Sequence, residues 1–114
     1  ESVMVVGIGI IDLRIAGCGS LKEKRSVLKS VLRRTQNEFN VSIAEVGDND
    51  LLQRARIGFA VAGNEKGYIN AKVDHILRFV DEMGVAEIVR SRVEIESFSD
   101  LMEGPEAMEE GKYD

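Results

Sequence analysis

The sequence predicts an α+β fold in which one four-stranded antiparallel sheet carries two helices on a single face. Three observations predict it. Apolar periodicity switches between a repeat of two and a repeat of 3.6, in the order β-α-β-β-α-β. Both helical stretches are long enough to cover a sheet face. A chain of 114 residues with 44% hydrophobic content has room for one core. That order is the split βαβ, ferredoxin-like arrangement, whose second sheet face is left open to solvent or to a partner.

Each element has its own signature. Residues 4–15 read as a strand, with Gly9, Ile11, Leu13 and Ile15 on one face and Ile8, Ile10, Asp12 and Arg14 on the other. Residues 16–20 form a turn. Ser20 followed by Glu23 is a capping box, so a helix starts at Leu21. Its apolar set is Leu21, Val27, Leu28, Val31, Leu32 and Phe39, within an arc of about 140°, and Asn40 is its expected stop. Residues 41–46 are β-branched and strand-like, and 47–52 make a polar loop. In 53–62, Ala55, Ile57, Phe59 and Val61 share one face; Arg54, Arg56, Gly58 and Ala60 share the other. Gly63-Asn64 opens a second helix, whose core stripe is Ile69, Val73, Ile76, Leu77, Val80 and Met83, with Gly84 as its C′ residue. Residues 87–96 alternate as the last strand. The expected division is one domain over 1–96 and an acidic, mobile tail over 97–114, with six acids against one lysine.

Composition limits the function classes. No apolar run approaches the roughly 20 residues that span a bilayer. Val3 to Ile11 is apolar but has no basic leader and is broken by Gly7 and Gly9, so it reads as strand rather than signal peptide. Glu1 to Val3 read as an extension ahead of Met4. The single cysteine, Cys18, excludes an intramolecular disulfide and fits a reducing cytoplasm. Aromatic content of 5%, without tryptophan, argues against reading bases mainly by stacking.

Charge is unevenly spread. Residues 20–39 hold six cations against Glu23 and Glu38, a net of +4 on a chain of formal charge −5. Lys22, Arg25, Lys29 and Arg33 fall within about 80° of one another, beside the apolar arc. Such a stripe suits phosphate contacts; the solvated side of an amphipathic helix carries the same residues. Lys24 falls inside the arc. It must snorkel or find a carboxylate, and Glu45 on the next strand is the candidate for a structural ion pair. The amides of Gly17–Ser20 and Lys22 could hold an anion, but two turn glycines and a capping serine explain the segment more simply. Cys18 and the only histidine, His75, form no catalytic or zinc constellation. The open sheet face should show Ile8, Ile10, Arg54, Arg56, Arg90 and Arg92. Phe59 is the one aromatic of 57–62 and alternation turns it toward the helices, so no RRM stacking platform is expected.

At GCGSLKEKRSVLKS (17–30), FNVSIAEVG (39–47) and QRARIGFAVAGN (53–64) the chain resembles the YlxP-like family, small bacterial proteins catalogued as a domain of unknown function. The likeness runs from about Met4 to Ile95. Gly19 and Gly63 stand where that family more often has a His and a Ser. The resemblance implies a ferredoxin-like fold. In some bacteria the family's gene lies beside those for a translation initiation factor and a ribosome maturation factor, which implies a role near ribosome assembly or translation. It brings no catalytic residues.

The combined expectation is a non-enzymatic, cytoplasmic, RNA- or ribosome-associated accessory protein without cofactor or metal. Lys22, Arg25, Lys29 and Arg33 would contact phosphate of rRNA or a ribosomal subunit, with Arg34, Arg54 and Arg56 as secondary contacts. The acidic tail would fold back on the basic helix and compete with a polyanion. The alternative is a homo-oligomeric structural or regulatory module associating through its open sheet face, with or without a small ligand.

Overall fold

The computed structural model describes residues 3–99. The element order is β1 (Val3–Arg14), α1 (Leu21–Glu38), β2 (Ser42–Gly47), β3 (Arg54–Gly63), α2 (Lys66–Glu82) and β4 (Glu87–Ser99). The strands form one sheet in the order β2-β3-β1-β4 with every neighbouring pair antiparallel. This is the expected ferredoxin-like topology. α1 packs over β2 and against α2, and α2 lies across β1, β3 and β4.

The alternation read from the sequence sets the two faces. Ile11, Leu13, Ala55, Ile57, Phe59 and Val61 are buried under the helices. Leu28 and Val31 come down from α1, and Ile69, Val73, Ile76 and Val80 from α2. Phe39 and Phe79 meet edge to face, with centroids 5.5 Å apart, where the helices converge. Gly9 is required by close approach: a Cβ there would sit 2.4 Å from the Phe59 ring. Phe59 is thus seated beneath the helices, away from the open face.

The turn into α1 depends on Gly17, whose φ of 76° is left-handed. Ser20 is the N-cap, and its hydroxyl accepts from Glu23 N at 3.1 Å. The Glu23 carboxylate reaches one residue further back than in a regular capping box and accepts from Gly19 N at 2.8 Å. Two amides that an anion would need are therefore occupied by the chain's own side chains. Capping is the role the structure supports for this turn.

Several boundaries differ from the sequence reading: β1 ends at Arg14, β2 and β3 each begin and end one residue later than expected, and Gly63 closes β3 rather than opening α2, whose N-cap is Glu65. α1 ends at Glu38 with Phe39 as C-cap, before Asn40. β1 begins at Val3, which pairs with Ser99, so β4 continues three residues past the expected end at Glu96. Ser97–Ser99 thus belong to the sheet rather than to a tail, because β1 offers them a partner strand. Residues 100–114, and with them the proposed fold-back of the tail, lie outside the described residues. Thr35, outside the apolar set of α1, is buried, and its hydroxyl donates to Val31 O at 2.8 Å. A threonine can occupy an apolar seam when its hydroxyl bonds back along the helix.

Lys24 is buried to 1% exposure. Its Nζ donates to Asp48 O at 2.5 Å and Leu51 O at 2.6 Å, and lies 3.3 Å from Glu45 Oε2. The ion pair with Glu45 is present as expected. The two carbonyl bonds, invisible in the sequence, fasten the β2–β3 loop to the first turn of α1. Asp48 has a left-handed φ of 60°, which aspartate tolerates better than most residues. Replacing Lys24 by methionine keeps most of the volume but strands two carbonyls and a half-buried carboxylate. The expected loss is about 3 kcal/mol of unfolding free energy, measured by urea denaturation. A change below about 0.5 kcal/mol would mean that the ammonium does not hold the loop.

Candidate nucleic-acid interface

α1 presents its basic side because the apolar arc takes the other side into the core. Lys22, Arg25, Lys29, Arg33 and Arg34 are all exposed. Among the described residues none of the five is held in an ion pair. Arg25, Lys29 and Arg33 recur every four residues, about 6 Å apart along the axis. They border a shallow groove of about 460 Å³ between α1 and the edge strand β2, whose lining includes Leu28, Leu32 and Glu45. The Glu45 carboxylate would repel an anion in this groove, and the Lys24 ammonium beneath offsets it. Lys22 lies one turn nearer the helix start, and Arg34 flanks Arg33 on the outer surface.

The two remaining sequence candidates do not join this stripe. Arg54 and Arg56 lie on the opposite side of the sheet, where β3 pairs with Arg14 and Asp12 of β1. Arg56 is engaged: its Nε donates to Asp12 Oδ1 at 2.7 Å and its Nη2 to Oδ2 at 3.4 Å. Arg90 Nε on β4 donates to Asp12 Oδ2 at 3.2 Å. Arg92 bonds Glu94 at 2.9 Å. The hydrogen bond from Arg56 holds the Asp12 carboxyl below its ordinary range, against partial burial, and Arg90 adds to the effect. The same bond raises Arg56. A lowered carboxyl stabilises the fold above the ordinary aspartate value near 4, and that stabilisation is lost as pH falls through the folded-state value.

Sequence reasoning placed Asp12 and the arginines on one face but did not see them as one cluster. Alternation gives the face; only strand order and register bring β1, β3 and β4 into one row. Beyond this cluster the open face is apolar and small, apart from Glu94 and Glu96 along β4. Met4, Ile8, Ile10, Val46 and Phe98 are exposed, and Gly58 and Ala60 line its floor. Cys18 is buried, with its thiol 3.5 Å from Ser20 O. Among the described residues, no cluster of three or more His, Cys, Asp or Glu could hold a metal ion, and no helix is long and apolar enough to cross a membrane.

Comparison with known proteins identifies the lineage and no activity. The family model described as a protein of unknown function (DUF503) matches residues 6–93. The uncharacterized protein YlxP of Bacillus subtilis (strain 168) is 38% identical over 90 residues, covering 79% of this chain and 98% of that protein. Among solved structures, the de novo designed protein Foldit4 is 18% identical, with a TM-score of 0.45 over 83% of this chain and 97% of its own. A dimeric ferredoxin-like protein from an uncultured marine organism is 4% identical, with a TM-score of 0.35 over 86% and 94%. The fold assignment rests on the strand order and connectivity above. A model match across most of the sheet and both helices, with a relative alike over nearly its whole length, places the chain in the YlxP-like family of proteins of unknown function, DUF503.

Proposed function

We propose that the protein is a non-enzymatic, cytoplasmic accessory protein that binds RNA, as rRNA or a ribosomal subunit, through the groove between α1 and β2. One observation carries this reading. On a chain of net charge −5, Lys22, Arg25, Lys29 and Arg33 form an exposed row with no ion-pair partner among the described residues. Such a row lowers the energy of a polyanion laid along it and releases the counterions of that polyanion. Leu32, half-buried beside the cations, offers an apolar surface to the less polar parts of a single strand. Arg34 extends the row outward. Arg54 and Arg56 do not belong to this groove.

A specific observation favours a second reading, a homodimer through the open sheet face. Ile8 and Ile10 are 43% and 39% exposed at its centre. Along β4, Arg90 and Arg92 are followed by Glu94 and Glu96 at alternate positions, all register partners of outward β1 residues. A two-fold axis lying in the face and across the strands sets Arg92 over the Glu94 of a second copy, and Arg90 over its Glu96. The apolar centres then meet.

The two readings separate experimentally. Four phosphate contacts to a single strand predict affinity falling about 50-fold between ~50 and ~200 mM salt. The double variant Lys29→Glu/Arg33→Glu should abolish binding. No affinity for rRNA or subunits at ~50 mM salt, or undiminished affinity of the variant, rejects the RNA reading. For the dimer, light scattering should show twice the monomer mass, reverting to monomer in Ile8→Asp/Ile10→Asp. A wild-type monomer at all concentrations rejects it.

A further inference from the structure

The end of the open face holds a second basic group, separate from the helix row by the thickness of the sheet. Arg14 on β1 and Arg54 on β3 are direct register partners, and both are exposed. Like charges placed opposite each other across an antiparallel pair destabilise the sheet. Neither guanidinium is in an ion pair among the described residues, although Glu87 is the register partner of Arg14 on β4. One row further in, Asp12 fixes Arg56 from one side and Arg90 from the other. The result is a cleft of about 430 Å³ whose lining includes Arg14, Arg54, Arg56 and Arg90, with Asp12 and Asp48 as its carboxylates.

The backbone departs from regularity around this same cleft. β4 slips register between Asp12 and Leu13, leaving Val89 as an extra residue on the cleft wall. β2 slips between Glu45 and Gly47, so that Gly47 pairs with Arg56. Asp48, which follows Gly47, is the one non-glycine residue of positive φ among the described residues. Bulges bend a strand and re-aim its side chains, and they concentrate beside binding sites. Both edge strands of this sheet bulge at the row where the arginines gather.

We propose that this cleft is a phosphate-binding site, in which Arg14 and Arg54 grip one phosphate group and Arg56 and Arg90, held in place by Asp12, form its second wall. The guanidinium fork matches phosphate oxygens two at a time. A bound dianion also converts the Arg14–Arg54 repulsion into shared attraction, so the apo sheet carries a cost that the ligand removes. The phosphate can belong to a small metabolite or to an RNA chain. The site does not depend on the helix row, and its failure leaves the RNA reading of α1 standing.

The experiment is calorimetric titration at ~50 mM salt with inorganic pyrophosphate and, separately, with a short single-stranded RNA. Wild type is compared with Arg14→Ala/Arg54→Ala and with Lys29→Glu/Arg33→Glu. The first variant removes two exposed, unpaired arginines, so its thermal midpoint without ligand should hold or rise. Pyrophosphate should bind wild type and the helix variant alike, and bind Arg14→Ala/Arg54→Ala at least about tenfold more weakly. If pyrophosphate fails but RNA binding weakens in Arg14→Ala/Arg54→Ala, the site stands and its phosphate is that of an RNA chain. Undiminished binding of both ligands by Arg14→Ala/Arg54→Ala, or binding of neither by wild type, overturns the proposal.

Discussion

The Lys24 ammonium is the contact on which the arrangement of this molecule turns. A charged group buried to this extent is tolerated only when its three protons find acceptors. Here two are backbone carbonyls of the β2–β3 loop, with the Glu45 carboxylate beside them. Two of these three sites belong to the loop and one to the edge strand, while the ammonium itself comes from the helix. Their common ligand sets how the first turn of α1 sits relative to the end of the sheet. It draws Asp48 to the rim of the arginine cleft and leaves the Glu45 charge offset within the groove under α1. One side chain therefore conditions both basic surfaces without being exposed on either.

The sheet divides the chemistry into two independent halves. Its helix side is fully used in making the core, and the glycine at position 9 shows how tightly β1 is overlaid there. Cations on that side stand on the outer surfaces of the helices, in an uninterrupted row on α1 and, as Lys66 and Arg78, among the acids Asp74, Asp81 and Glu82 on α2. The other side has no helices. Its apolar centre, its self-complementary row on β4 and its arginine cleft are free of the demands of folding, apart from the Asp12 network. A protein with 15 cations among 114 residues and a net negative charge thus carries two separate positive regions instead of one diffuse field.

Much of the fold was legible because periodicity is local. The alternation of Ile11, Leu13, Ile57, Phe59 and Val61 needs only neighbouring residues to declare a buried face, and all five are buried. The angular position of Lys24 on α1 was enough to turn it inward. The exposure of Lys22, Arg25, Lys29 and Arg33 followed from the same geometry. Where the structure departs from this periodicity, the cause is a distant partner or a hydrogen bond. Nothing within 97–99 resembles a strand continuation; those residues extend β4 because β1 starts at Val3 and offers backbone partners. Thr35 looked polar, and it is its hydrogen bond to Val31 that admits it to the core.

The sequence by itself determined the element order, the fold class, the inward lysine and the outward basic row, since each follows from spacing along one segment. It also carried the family signature in SLKEKR. What only the tertiary structure decided is which distant residues share a row. The pairing of Arg14 with Arg54, the capture of Asp12 by Arg56 and Arg90, and the carbonyls that complete Lys24 all depend on strand register and loop closure. Register is set by the packing of both helices and by two bulges, and so by the whole chain at once. That is why alternation could put Arg54 and Arg56 on the open face, while their partners Arg14 and Asp12 came only with the register.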